Sequence, residues 1–254
     1  MAQIDPLHII LLLVIGLVAS VINVVAGGGS YLTLPALIFT GLPPGLANGT
    51  NRIGILAGNL FSAVKFARLG QLKTSDLLYF CLPATIGGVG GAWIATQIDD
   101  RSMRIALAVL MLFGSWTVIS RPSTPQSDSL SRNKNWSFPL FSGVGLYAGF
   151  IQAGTGFFSL AATSFLGYDL NRGNAVKTLM NLCLTVPALL VFWHKSLVDW
   201  PAGLALAAGM SLGGLIGVRV SENSKPENLR KMVAAAILIS AVFIVYPLLR
   251  STLG

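Results

Sequence analysis

Two glycine-rich polar patches interrupt the apolar sequence, and their residue types suit the binding of an anion. Residues 23–30 read Asn-Val-Val-Ala-Gly-Gly-Gly-Ser, and residues 152–159 read Gln-Ala-Gly-Thr-Gly-Phe-Phe-Ser. A helix broken at such a patch leaves unpaired N–H groups at the start of the next helix, where the helix dipole adds positive charge. Glycine lets a ligand approach this backbone closely, so each patch predicts an anion-binding helix end. The alternative is that the glycines only allow tight helix packing.

Two cations fall within the first turns of predicted membrane helices. Arg52 follows Thr50 in the run Asn-Gly-Thr-Asn-Arg, and Lys177 precedes Thr178 in the run Asn-Ala-Val-Lys-Thr. A cation inside a membrane segment is costly without a carboxylate partner and is therefore a candidate for function. A bound anion would supply the missing charge partner of either side chain. The alternative is that each side chain extends to the lipid headgroups.

The other reactive side chains argue against several chemistries. All nine acidic residues lie in loops or near the ends of apolar segments, which disfavours a buried carboxylate relay and a carrier of cations. If protons drive transport, they would have to be carried by Asp76, Asp169 or Asp199. Cys81 and Cys183 form no Cys-x-x-Cys motif, and no Ser-His or Cys-His pair is expected at membrane depth. We therefore expect no catalytic residue, metal or cofactor.

The composition indicates the environment of these residues. The 254-residue chain is 54% hydrophobic and 10% charged, whereas soluble proteins carry about 25% charged residues. This predicts an all-α integral membrane protein. The net charge of +8 comes from basic residues in short loops, which the positive-inside rule explains without nucleic acid. No cleavage site follows the first apolar run, so we expect no cleaved signal peptide.

The elements that must position the two patches include segments too short to cross a membrane. About 20 helical residues span the hydrocarbon core, but the apolar stretches at residues 30–40, 138–151 and 157–166 are shorter. We therefore expect each patch to join two helices that enter and leave on the same side of the membrane, as a re-entrant hairpin.

The two halves of the chain align with each other in one order. Residues of the same type recur at a nearly constant offset; examples are Gly16 and Gly145, Gly27 and Gly156, Ser30 and Ser159, and Thr50 and Thr178. This predicts a repeat over residues 1–119, a polar linker over 120–137 and a second repeat over 138–254. If the linker is cytoplasmic and each half crosses the membrane an odd number of times, most of the 17 lysines and arginines lie on the cytoplasmic side. The repeats are therefore expected to be inverted.

The patches and their surroundings also resemble a known family. Residues 26–37 and 47–50 resemble the first repeat of the TauE/SafE sulfite exporter family, and residues 149–156 and 175–178 resemble its second repeat. The resemblance implies an integral permease of the cytoplasmic membrane for small anions, often sulfite or organosulfonates. The second patch departs from the Gly-Gly-Gly pattern and carries Phe157 and Phe158, whose rings would suit an apolar wall or gate.

Together these observations predict a secondary transporter that moves a small oxyanion through a central site, by rocking or gating of one repeat. The expected site residues lie in the patches and in the helices after them; they are Gly27, Gly28, Gly29, Ser30, Thr50, Arg52, Gln152, Thr155, Gly156, Ser159, Lys177 and Thr178. The expected partners are the small anion, the lipid bilayer and, in a homo-oligomer, further copies of the chain. The alternatives are a passive anion channel with the same site, a membrane-embedded enzyme and a purely structural membrane subunit.

Overall fold

The computed structural model describes residues 5–120 and 136–223, and every regular element in these ranges is a helix. In chain order the α-helices are α1 (Pro6–Ala26), α2 (Ser30–Phe39), α3 (Pro44–Arg68), α4 (Leu82–Ala95), α5 (Asp100–Ser120), α6 (Ser137–Phe150), α7 (Thr155–Phe165), α8 (Leu170–His194) and α9 (Trp200–Asn223). The predicted all-helical fold is confirmed for these ranges. Most of the predicted linker, and residues 224–254 of the predicted second repeat, lie outside the described residues.

A π-helical turn, Leu77–Cys81, leads directly into α4. The Leu82 N–H bonds to the Leu77 carbonyl, five residues earlier. Pro83 has no N–H group with which to continue the regular α-helical pattern. We attribute the wider turn to this missing donor. The turn and α4 together form one apolar stretch, Leu77–Ala95, of 19 residues.

The chain leaves the helical conformation at both glycine-rich patches. Gly27 has a φ of 82°, and its N–H bonds to the carbonyls of Ile22 and Asn23, which ends α1. Gly154 has a φ of 68° and directly precedes α7. Glycine adopts this left-handed conformation without steric cost. The first break therefore separates α1 from α2, and the second separates α6 from α7.

Each broken pair of helices folds back on itself. The ring of Phe39, at the end of α2, lies 6.5 Å from the ring of His8, near the start of α1. In the second pair, the rings of Tyr147 on α6 and Phe158 on α7 are 4.8 Å apart. The first contact brings the end of α2 back to the start of α1, and the second packs α6 against α7 next to their break.

Small residues bring the two halves into close contact. α9 packs along α1, and α6 packs along α4. A Cβ added to Gly213 of α9 would meet the Leu17 carbonyl of α1, and one added to Gly91 of α4 would meet the Leu146 carbonyl of α6. The glycine-rich faces of α4 and α9 therefore allow backbones to touch, as in other membrane helix pairs.

α3 and α8 run in opposite directions through the interior. Phe66, near the end of α3, shares a buried cluster with Ala175, near the start of α8. Gly49, near the start of α3, packs against Phe192, near the end of α8. Because α3 follows the first break and α8 follows the second, the corresponding helices of the two halves are antiparallel.

The outer surface and the helix lengths fit a lipid environment. Within the described residues, four helical stretches are long and apolar enough to cross a membrane; they are Pro6–Val25, Leu77–Ala95, Leu170–His194 and Trp200–Ser221. Large apolar side chains face outward: Leu78 is 68% exposed and Trp93 is 58% exposed. Polar side chains such as Arg52 and Lys177 are buried instead. The fold thus turns its polar groups toward the two breaks and its apolar groups outward.

Candidate functional site

The two helix breaks touch each other. The Gly156 N–H donates to the Gly27 carbonyl at 3.2 Å. A Cβ added to either glycine would overlap the backbone of the other. Glycine is therefore required at both positions for the two halves to approach this closely.

The contact brings two helix N-termini together inside the protein. α2 begins at Ser30, just after Gly29, and α7 begins at Thr155, next to Gly156. The helix dipole gives each end a partial positive charge, and some of the first N–H groups are bonded there: those of Tyr31 and Phe157 donate to the carbonyls of Gly28 and Gly154. Ser30 and Thr155 are both buried. The contact between Gly27 and Gly156 thus places the two sequence-predicted patches side by side.

Side chains at the first break bond to one another. The Thr33 hydroxyl donates to the Asn51 Oδ1 at 2.6 Å. The Asn51 Nδ2 in turn donates to the Ser30 Oγ at 3.3 Å. The Ser30 hydroxyl therefore accepts a hydrogen bond from α3 and keeps its own proton for another acceptor. This chain fixes α2 against α3.

Side chains at the second break leave polar atoms without partners. The Gln152 Nε2 donates to the Thr185 Oγ1 at 2.7 Å, and the Thr185 hydroxyl donates to the Asn181 carbonyl. Because the Thr185 proton is used, its oxygen can only accept from Gln152, which fixes the orientation of the Gln152 amide. Within the described part of the chain, the Gln152 Oε1, the Thr155 Oγ1 and the Asn181 Oδ1 are buried without a hydrogen-bond partner. Buried polar atoms are rarely unpaired, so these are candidates for contact with a ligand.

Lys177 holds the end of α1. Its ammonium donates to the carbonyls of Asn23 and Val24 at 2.9 and 2.8 Å, and to the Asn174 Oδ1 at 2.8 Å. The side chain is 1% exposed. The last carbonyls of a helix carry a partial negative charge, so this position stabilises a cation.

Arg52 holds the end of α6 in a related way. Its guanidinium donates to the carbonyls of Ala148 and Gly149 and lies 4.4 Å from the centre of the Phe192 ring. It is 0% exposed, and its Nε–H has no partner among the described residues. Each buried cation therefore contacts the broken helix of the opposite half.

Three of the predicted site hydroxyls are engaged in other bonds. The Thr50 Oγ1 accepts from the Asp199 N–H at 2.9 Å. The Thr178 hydroxyl donates to the Asn174 carbonyl, and the Ser159 hydroxyl donates to the Thr155 carbonyl. Thr50 thus joins α3 to the start of α9, while Thr178 and Ser159 bond within their own helices.

Some residues at the breaks were absent from the predicted set. Tyr31 contacts Gly154 across the two halves, and its ring stacks on that of Phe157 at 6.3 Å. Asn51 and Asn181 lie beside the breaks, as neutral polar residues in apolar helices. In the sequence, an asparagine within an apolar helix is the feature that indicates a polar path. For Tyr31 the signal was its position directly after the first patch.

Charged groups that could bind a metal are sparse in the described ranges. Residues 5–120 and 136–223 contain no group of three His, Cys, Asp or Glu side chains that could hold an ion. The one ion pair found there joins Arg172 to Asp76 at 2.7 Å. It links the loop before α4 to the start of α8, away from the breaks.

Comparisons with known proteins show one family. The family profile described as Sulfite exporter TauE/SafE matches residues 12–244. A probable membrane transporter protein of Haemophilus influenzae is 28% identical and covers 93% of this chain and 94% of its own length. The probable membrane transporter protein YfcA of Escherichia coli K12 is 27% identical, over 94% of this chain and 89% of its own. The probable membrane transporter protein ORF9 of a Sinorhizobium species is 30% identical, over 82% and 81%. No solved structure matches the chain.

Proposed function

Because the chain belongs to the sulfite exporter TauE/SafE family of membrane transporters, we propose that it is a secondary transporter of the cytoplasmic membrane that moves a small oxyanion, such as sulfite or an organosulfonate. The observation that carries this proposal is the contact between the two helix breaks at Gly27 and Gly156. Paired breaks in two related halves are a typical setting for a transporter's binding site.

The anion would bind where the N-termini of α2 and α7 meet. The proposed site combines the residues of the two patches with residues from α3 and α8 that support them; its members are Gly27, Gly28, Gly29, Ser30, Thr50, Arg52, Gln152, Thr155, Gly156, Ser159, Lys177 and Thr178. The free hydroxyl of Thr155 would donate to the anion directly. Arg52 and Lys177 would keep the surroundings positive through their buried charges.

We propose that the two halves form inverted repeats and that both broken pairs are re-entrant. The antiparallel run of α3 and α8 supports the inversion, and the contact of Phe39 with His8 supports a return of the first pair to its own side. α9 of the second half packs on α1 of the first half, and α4 of the first half packs on α6 of the second. The same helix pairing therefore occurs twice, with the two halves exchanged.

The charges support one orientation. The starts of α6 and α8 share a face with the ends of α3 and α9, as the contact of Asn174 with Ser221 indicates. Described basic residues at that face are Lys65, Arg68, Lys73, Arg172 and Arg219, against Arg101, Arg104 and Lys195 at the other. By the positive-inside rule we assign the first face to the cytoplasm. Transport would then follow from rocking of one half against the other about the Gly27–Gly156 contact.

The test measures sulfite flux in proteoliposomes with Gly156→Ala and, as a matched control, Gly143→Ala. A Cβ at position 156 would overlap the Gly27 backbone, whereas one at position 143 would meet nothing within 4 Å. Overpacking of this kind costs about 1–3 kcal/mol, so we expect Gly156→Ala to lose about five-fold or more in flux. Gly143→Ala should match the unmodified protein.

The same vesicles separate a carrier from a channel. For a carrier, unlabelled sulfite on the far side should accelerate the efflux of labelled sulfite, because loaded sites return faster than empty ones. Equal flux of Gly156→Ala and Gly143→Ala would contradict a site at the two breaks. Flux without trans-acceleration would favour the channel.

A further inference from the structure

We propose that the Lys177 ammonium fills a cation site at the end of α1, and that transport therefore needs no sodium ion there. The inference rests on the proposed function, since it concerns which group supplies positive charge at the broken helices beside the proposed anion site. It assigns Lys177 a positioning role in place of direct contact with the anion.

The first argument is the number of donors. A lysine ammonium has three N–H donors and no acceptor. Lys177 directs them at three oxygens: the carbonyls of Asn23 and Val24 and the Oδ1 of Asn174, at 2.8–2.9 Å. No donor remains for an anion in this conformation. The ammonium is saturated by the protein.

The second argument is the nature of the three oxygens. Two are carbonyls at the C-terminal end of a broken helix, and the third is a neutral amide oxygen. The Asn174 Nδ2 donates to the Ser221 Oγ at 3.2 Å, which turns the Oδ1 toward Lys177. In transporters with broken helices, such C-terminal ends and unwound carbonyls coordinate the coupling Na⁺ or H⁺. Here a side chain of the protein supplies the positive charge.

The third argument is that a buried cation also contacts the end of the other broken helix, α6. Arg52 donates to the carbonyls of Ala148 and Gly149 at the end of α6. Both helix ends are thus neutralised by a cation from the opposite half. Neither Lys177 nor Arg52 forms an ion pair with a described carboxylate, and the ion pair found in these ranges joins Arg172 to Asp76. A bound alkali cation at these ends would be repelled by the resident charge.

The first experiment uses the unmodified protein in proteoliposomes. Sulfite counterflow is compared in sodium, potassium and N-methyl-D-glucamine buffers at equal ionic strength. We expect rates that agree within about two-fold. A rate that falls ten-fold or more without sodium would overturn the proposal, whatever the variants do. A protein that moves no sulfite in any of the buffers would count against the proposed function instead.

The second experiment needs no substrate. Lys177→Ala removes the ammonium from the three oxygens and leaves only the Asn23 carbonyl with another donor, the Gly27 N–H, so a small cation should occupy the vacated site. We expect ammonium or sodium chloride to raise the thermal midpoint of purified Lys177→Ala by several degrees over N-methyl-D-glucamine chloride. The unmodified protein and the control Lys195→Ala, whose exposed lysine follows α8, should not respond. Lys177→Ala that is no less stable than the control, or that shows no response to small cations, would overturn the proposal. If Lys177→Ala does not fold, the sodium comparison on the unmodified protein decides.

Discussion

The two helix breaks are related in sequence but differ in how their polar groups are bonded. At the first break, Ser30, Thr33 and Asn51 form a chain of hydrogen bonds that joins α2 to α3. At the second, Gln152 and Thr155 each keep a buried polar atom without a partner among the described residues. The side chains of the first break are therefore bonded to one another, with only the Ser30 proton left over, whereas the second break keeps polar atoms open.

The two buried cations, Lys177 and Arg52, differ in the same way. Lys177 has all three donors in use at the end of α1, whereas Arg52, at the end of α6, retains a buried Nε–H that no described residue accepts. Unpaired buried groups cost free energy unless something completes them. The comparison suggests that the first break anchors the site and that the ligand completes the hydrogen bonds of the second.

The largest expected effect tests the open break. Thr155→Val keeps the shape of the side chain and removes the unpartnered hydroxyl. A hydrogen bond to a charged group contributes about 1.5–3 kcal/mol, so the KM for sulfite should rise at least about ten-fold. Thermal stability should stay the same or increase, because no internal bond is lost. Sulfite flux and thermal denaturation in detergent measure the two quantities.

The control for this variant lies on the same helix. The Thr163 hydroxyl donates to the Leu160 carbonyl within α7, so Thr163→Val should leave the KM unchanged. Thr155→Ser should retain transport, since it keeps a hydroxyl. A Thr155→Val protein with unchanged KM would remove the second break from the binding site.

A smaller effect distinguishes the two asparagines beside the breaks. Asn51→Leu removes two buried hydrogen bonds, and bonds between membrane helices are worth about 0.6 kcal/mol on average and up to about 1.7. We expect the free energy of unfolding to fall by about 1–2 kcal/mol, measured in mixed micelles. Asn181→Leu removes an oxygen that is unpaired within residues 5–120 and 136–223, so stability should hold while the KM for sulfite rises. Equal loss of stability in both variants would contradict the contrast between the breaks.

The sequence predicts local backbone features of this molecule well. Gly27 and Gly154 adopt left-handed conformations at the two patches, and a glycine in a polar run within an apolar segment is a local signal. The short helices follow for the same reason: α2 and α7 begin within two residues of the predicted starts. Local turn chemistry decides where these helices end, and it can be read from neighbouring residues.

The partners of the polar side chains could not be predicted in this way. Lys177 contacts Asn23, which lies 154 residues earlier in the chain, and Arg52 contacts Gly149, which lies 97 residues later. Which carbonyl lies beside a buried cation depends on helix packing across the two halves, and residue type alone does not encode it. The same limit explains Thr50 and Thr178, which occupy matching positions in the repeat but have different partners.

The smallest expected effect tests that last pair. The Thr50 Oγ1 accepts from the Asp199 N–H and ties α3 to the start of α9, whereas the Thr178 hydroxyl donates to a carbonyl of its own helix. Thr50→Val leaves a backbone N–H without its acceptor, so the free energy of unfolding should fall by about 0.6 kcal/mol. Thr178→Val should change it less, because the Asn174 carbonyl keeps its helical acceptor role. Unfolding of the two variants in the same micelles measures the difference. Equal losses would mean that the two threonines have equivalent roles, as their positions in the repeat alone suggest.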